Sequence, residues 1–176
     1  MDEVELSTVI YLPPEEVYEF LIDFPRYANY SEYLTGVRQH GDGSPGTQYD
    51  LRVAWWKLTY TARSEVTSVA PPTRIDWKLV KDIDARGHWR VEEVPDEAPE
   101  GVETASRVWL RVDFDPESAR GDAINLPTFV SFGWVIQKIK PKVVREAERV
   151  IRRIVADLEG ESREVELQIH RTPDSI

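Results

Sequence analysis

The chain contains no cysteine, which removes disulfides, thiolate metal sites and cysteine nucleophiles together. Histidine is scarce, with three in the chain. His40, His88 and His170 fall at a turn edge, on an outward strand face and in the tail, so no three-histidine metal site is expected. HExxH, a glycine-rich phosphate loop and GxSxG are all missing, and neither metal nor cofactor is expected. No apolar run reaches the ~18 residues that a bilayer-spanning helix needs. Met1-Asp2-Glu3-Val4 lacks the basic start of a signal peptide, so the expected location is cytoplasmic. Positive charge is in short supply: 22 Lys and Arg face 32 Asp and Glu, a formal charge of −10. That balance argues against a phosphate-tracking surface and hence against a nucleic-acid partner. Lysine is the rarer of the two cations, six residues against sixteen arginines. Internal repeats and low-complexity segments are absent.

What is present is the composition of a soluble single domain, 41% hydrophobic and 31% charged over 176 residues. Its longest pattern runs from Phe129 to Glu159. Phe132, Ile136, Ile139, Val143, Ala147, Val150, Ile154 and Leu158 recur at steps of three and four, which stacks them on one helical face. Val135, Val144, Ile151 and Val155 widen that stripe, and Lys, Arg, Glu and Asp fill the opposite side. Thr128 is the candidate N-cap and Gly160 the stop. Pro141 lies inside the pattern and lacks an N–H, so either a kink or two helical segments in line are expected.

The rest of the chain supplies strands. Val4, Leu6, Thr8, Ile10 and Leu12 alternate with polar residues. Pro13-Pro14 breaks that strand, and Glu15-Glu16 charges the first turn of a short helix carrying Val17, Tyr18, Phe20 and Leu21. A second short helix begins at Phe24 and fades near Leu34. Strands are then predicted from Gly36 to His40, Thr47 to Trp56, Leu58 to Val69, Arg74 to Val80, around Gly87 to Glu93, and from Thr104 to Phe114. Short turns between them indicate an antiparallel meander with one dry face. The connection from Asp115 to Asn125 leads into the long helix. After Gly160, Val165, Leu167 and Ile169 alternate with polar residues, so the tail either adds an edge strand or stays disordered.

The predicted fold class is α+β: an antiparallel sheet curled around a long C-terminal helix, with two short helices after the first strand. Residues 1–160 form the domain and 161–176 the tail. The opening Val17-Tyr18-Glu19-Phe20-Leu21-Ile22-Asp23-Phe24-Pro25-Arg26-Tyr27 with Tyr33-Leu34 is followed by Val69-Ala70-Pro71-Pro72-Thr73-Arg74-Ile75-Asp76-Trp77, by Gly87-His88-Trp89-Arg90-Val91 and by Arg107-Val108 through Pro116. In their order and spacing these segments resemble the START-like helix-grip (SRPBCC) superfamily, nearest its polyketide cyclase/dehydrase and coenzyme-Q-binding branch.

The resemblance implies a cavity between the sheet and the long helix, open to hydrophobic small molecules. The inward positions that would line it are Tyr49, Leu51, Val53, Trp55, Tyr60, Val66, Trp77, Leu79, Trp89, Val108, Leu110, Phe132, Ile136 and Ile139. Tyr49, Tyr60 and Ser64 are the candidates to orient a ligand's polar end. Burying ~200 Å² of ligand contributes about 5 kcal/mol before association costs. Any single Trp reads better as core filling; the set of six Trp and seven Tyr moves the balance toward a pocket. The expected function is binding or transport of a lipid, isoprenoid quinone or polyketide-like molecule. The alternative is a cyclase/dehydrase-type enzyme acting in the same cavity, although the inward faces carry no His, Asp, Lys or Arg. Asp23 reads as a helix-end residue positioning Tyr27. Trp56 and Trp109, flanked by Arg107 and Arg111, point outward and mark a candidate homodimer or partner surface.

Overall fold

The computed structural model describes residues 1–119 and 132–173. The first alternating segment forms β1 (Asp2–Ile10). Pro14 occupies the first turn of α1 (Pro14–Ile22), where a missing N–H costs nothing, and Glu15 and Glu16 charge its positive end. Val17, Tyr18, Phe20 and Leu21 form the buried side of α1. The second short helix is a 3-10 segment, Phe24–Asn29, and the chain is already extended at Leu34.

The meander follows as β2 (Leu34–His40), β3 (Gln48–Trp55), β4 (Leu58–Ala70), β5 (Arg74–Leu79), β6 (Asp84–Glu93) and β7 (Ser106–Asp115). The long helix is α2 (Phe132–Glu159), and β8 (Gln168–Arg171) closes the described chain. All strands pair antiparallel in one open sheet ordered β2-β3-β4-β5-β6-β7-β1-β8. The tail therefore supplies an edge strand to its own sheet, alongside the N-terminal strand. Thr8 Oγ1 donates to the Glu166 carbonyl at 2.9 Å, and Ser7 Oγ pairs with His170 Nε2 at 2.8 Å.

Helix α2 runs through Pro141 as one element and stops at Gly160, whose φ of +83° is a conformation glycine adopts freely. The proposed N-cap Thr128 and the start at Phe129 lie outside the described residues. The second half of α2 meets the expectation of a core-facing stripe: Val155 is fully buried, with Val150, Ile151, Ile154 and Leu158 packed beside it. Its middle does not. Val143 and Val144 are 55% and 42% exposed.

The core gathers Ile10, α1, Phe24, Tyr30, Tyr49, Val66, Ile75, Val91, Val108 and Val155. An aromatic chain binds α1 to the sheet. Phe20 meets Tyr27 and Tyr30, each at 5.5 Å between ring centroids, and Phe24 meets Tyr49 at 4.7 Å. Polar bonds fasten α2 to the same end of the molecule. Tyr30 Oη donates to Asp157, Arg26 reaches that carboxylate at 3.2 Å, and Arg153 donates to the Tyr30 carbonyl at 2.8 Å. The Glu159 carboxylate accepts from the Tyr11 N–H and from Arg163.

Two outward tryptophans differ from expectation. Trp56 is not a strand residue: with φ of +55° it forms the tight β3–β4 turn with Lys57, and it is 54% exposed. Trp109 does lie on the outer face of β7, but β8 covers it. His170 stacks on its indole at 4.8 Å and the Arg90 guanidinium lies 4.7 Å from the ring. The chain's own tail thus covers the Trp109 part of the surface that the sequence offers to a partner, and Trp56 stays exposed.

Candidate functional site

Strand pairing decides which side chains share a face, because directly opposed residues project to the same side of a sheet. One row runs Tyr49–Ser64–Leu79 across β3, β4 and β5. A second runs Val66–Trp77–Gly87–Val112–Val4 across β4, β5, β6, β7 and β1. A third runs Ile75–Trp89–Leu110–Leu6, and Val91–Val108–Thr8 lies beside it. Leu51–Ala62, Val53–Tyr60 and Trp55–Leu58 complete the β3–β4 end. Every strand residue proposed from alternation as a cavity lining therefore lies on a single face, the one that packs on α1 and α2. The side chains of Phe132, Ile136 and Ile139 lie outside the described residues.

That face is not uniform. Tyr49, Ser64, Val66 and Val108 are buried, and all but Ser64 belong to the continuous core. Leu51 and Trp89 are half-buried against it. Trp55, Tyr60, Trp77, Leu79 and Leu110 are also half-buried but stand outside that core, and Val53 is exposed. These six cover the inner face from the β3–β4 turn to β7, where large apolar side chains keep part of their surface accessible.

Gly87 matters to this wall because of what lies on it. A Cβ there would sit 2.5 Å from the Trp77 ring and 2.4 Å from the Arg111 carbonyl oxygen. The missing side chain lets the Trp77 indole lie down on β6.

The polar groups divide between the two parts. Tyr27, packed among Phe20, Phe24 and Trp89, donates its hydroxyl to the Leu21 carbonyl. Burial, with the nearby Asp23 and Tyr49, pushes that phenol well above its ordinary pKa. Asp23 thus does not hold Tyr27 by a hydrogen bond; it ends α1 with its own N–H donated to Phe20. Tyr49 is raised chiefly by burial, then by Asp23 and Asp42, and stays protonated in the core. Tyr60 is different. Its hydroxyl donates to Asp82 Oδ2 at 3.3 Å, and burial followed by that carboxylate pushes its pKa up to about 12.

Alternation could not find Asp82, because it sits in the β5–β6 turn with φ of +71°, outside any period-two pattern. The available signal was its position two residues before β6, among the turn residues Lys81 to Asp84. Lys81 Nζ is 3.7 Å from the same carboxylate. A phenol, a carboxylate and an ammonium thus meet at the partly accessible edge of the apolar wall.

A separate groove of about 640 Å³ lies on the other side of β1, between the tail and α2, with Tyr11, Arg107, Arg152 and Arg163 among its walls. Arg107 is paired with Glu97 at 2.7 Å and Arg163 with Glu159 at 2.7 Å. Charged walls suit an apolar guest poorly. Among the described residues no group of His, Asp and Glu could hold a metal ion, and no helix is long and apolar enough to cross a membrane.

A family model described as polyketide cyclase / dehydrase and lipid transport matches residues 1–159. No curated protein matches in sequence. Among solved structures, the chain is similar to the Zhui aromatase/cyclase from Streptomyces sp. R1128, at 18% identity and TM-score 0.63, covering 89% of this chain and 93% of that one. It is similar to TTHA0849 from Thermus thermophilus at 18% identity and TM-score 0.58, covering 90% and 97%. It also resembles Ara h 8.0201 at 16% identity and TM-score 0.58, covering 90% and 98%. At these identities the likeness is one of fold, the helix-grip arrangement of open sheet and long C-terminal helix.

Proposed function

The chain belongs to the polyketide cyclase / dehydrase and lipid transport family, and we infer that it binds a hydrophobic small molecule between the inner face of its sheet and α2. The guest is a lipid, an isoprenoid quinone or a polyketide-like molecule. One observation carries this reading: the inner face keeps Trp55, Tyr60, Trp77, Leu79 and Leu110 only half-buried, while the side chains at the opposite end are buried in a continuous core. Apolar walls with few polar groups bind by area, and Trp77 offers the broadest such area near Gly87. Tyr60, kept protonated to about pH 12, would turn its one O–H from Asp82 to a carbonyl or hydroxyl on the guest and so orient it.

Native mass spectrometry of freshly purified protein tests this directly, with a co-purifying lipophile expected. Trp77→Ala should lower its affinity about tenfold to a hundredfold, measured by titration of a fluorescent fatty acid. Unchanged affinity would remove Trp77 from the wall.

A second reading, an enzyme of the cyclase/dehydrase type, is favoured by the Tyr60–Asp82 pair. Asp82 could accept a proton from a carbon beside a carbonyl while Tyr60 donates a hydrogen bond to the developing enolate oxygen. Turnover of an aromatic-polyketide precursor that is lost in both Tyr60→Phe and Asp82→Asn would establish it. Persistence of turnover in both variants would dismiss the pair.

A further inference from the structure

Three tryptophans outside the core meet at one corner of the molecule. Trp55 and Trp56, at the β3–β4 turn, have ring centroids 6.2 Å apart, and Trp56 lies 6.1 Å from Trp134 in the first turn of α2. Each carries an ammonium: Lys57 Nζ is 5.5 Å from the Trp56 ring, Lys138 is 5.8 Å from Trp134 and Lys142 is 5.0 Å from Trp55. Trp56 and Trp134 are among the most exposed large apolar residues of the molecule.

The charge here runs against the rest of the chain. In a protein of net charge −10, neither residues 53–60 nor residues 132–144 contain a single Asp or Glu. Four of the six lysines, Lys57, Lys138, Lys140 and Lys142, lie in these two segments. Elsewhere several cations are engaged within the fold, as in Arg63–Asp50, Arg74–Asp76, Arg111–Glu3 and Arg163–Glu159. Lys57, Lys138 and Lys142 form no ion pair among the described residues. The corner also adjoins the partly accessible wall formed by Val53 and Tyr60.

We propose that this corner docks on the surface of an anionic phospholipid bilayer. Tryptophan rings seat at the headgroup level, where their apolar body and N–H are both satisfied, and lysines on the same patch meet the lipid phosphates. The acidic remainder of the protein is repelled by the same surface, which orients the molecule with this corner down and the open end of the sheet facing the lipid. An acidic protein partner would use the ammonium groups but gain less from three clustered indoles, so the bilayer is the occupant favoured. The docking surface stands independently of what the cavity holds.

Vesicle flotation tests it, using phosphatidylcholine vesicles with and without phosphatidylserine. Binding is expected only to the phosphatidylserine vesicles, and it should weaken as salt is raised. The triple variant K57Q/K138Q/K142Q should lose affinity about tenfold or more. W56N/W134A should also lose it, asparagine being chosen because it tolerates the positive φ at position 56. Circular dichroism checks that both variants fold, which their surface positions lead one to expect. Equal binding to both vesicle types, no binding by folded wild type, or binding to polyglutamate but not vesicles would each overturn the proposal. Trp77→Ala should leave vesicle binding intact, and the lysine variant should leave fatty-acid binding in vesicle-free buffer intact, so the cavity and the docking surface can fail separately.

Discussion

The two ends of α2 have different surroundings. Its C-terminal half is gripped by α1, the 3-10 segment and the tail, through Val155 in the core and through hydrogen bonds to Asp157, Arg153 and Glu159. Val143 and Val144 in its middle and Trp134 near its start are exposed, and several apolar residues of the sheet's inner face are also incompletely covered. One amphipathic helix therefore does two jobs: it anchors at one end and leaves the other end of the sheet accessible. Stability is concentrated where the apolar area is closed, and adaptability where it is not.

Substitutions at the two ends should separate sharply. Phe20→Ala, which opens a hole among Tyr27, Tyr30 and α1, should cost about 3–5 kcal/mol in urea denaturation; a cost under about 1 kcal/mol would erase the distinction between the ends. Gly87→Ala tests the boundary between them. Its methyl has no room between Trp77 and the Arg111 carbonyl, so about 1–3 kcal/mol is expected, together with a change in Trp77 fluorescence.

A pH series probes the anchor. Hydrogen bonds from Tyr30 and then Arg26 hold the Asp157 carboxyl below its ordinary pKa. Their contribution is complete above the unfolded value of about 4, and it disappears as pH falls through the lower folded value. The melting-temperature difference between wild type and Asp157→Asn should therefore be constant near neutrality and shrink in acid. A difference that grew on acidification would reverse the assignment. The smallest effect belongs to the open side: Val143→Ala should change stability by no more than about 0.5 kcal/mol, since little burial is lost.

Much of this was legible in the chain. Period-two alternation sorted Tyr49, Leu51, Val53 and Trp55 from their neighbours, and the strand register agrees at each of them. The order of elements and Gly160 as the helix stop were equally plain. Alternation cannot see a register shift, however. The irregularity between Val66 and Ser68 pairs Val69 with Ile75, so Val69 returns to the inner face three positions after Val66, where strict alternation would turn it outward. Nor can it see backbone turns: Trp56 and Asp82 take positive φ, which carries their side chains where no strand pattern leads. The candidate site was half legible for the same reason. Its apolar wall follows a local repeat, but the Tyr60–Asp82 pair joins a strand to a turn.

Taken alone, the sequence determined which side of each strand is apolar, that a long amphipathic helix follows the meander, and that no thiol chemistry is available. These depend on backbone periodicity, which acts between near neighbours along the chain. Which apolar residues are shut away was decided by tertiary structure, because burial depends on what another element brings to the same place. His170 arriving over Trp109, and Trp134 arriving beside Trp56, are meetings between segments far apart in the chain, and no local repeat encodes them.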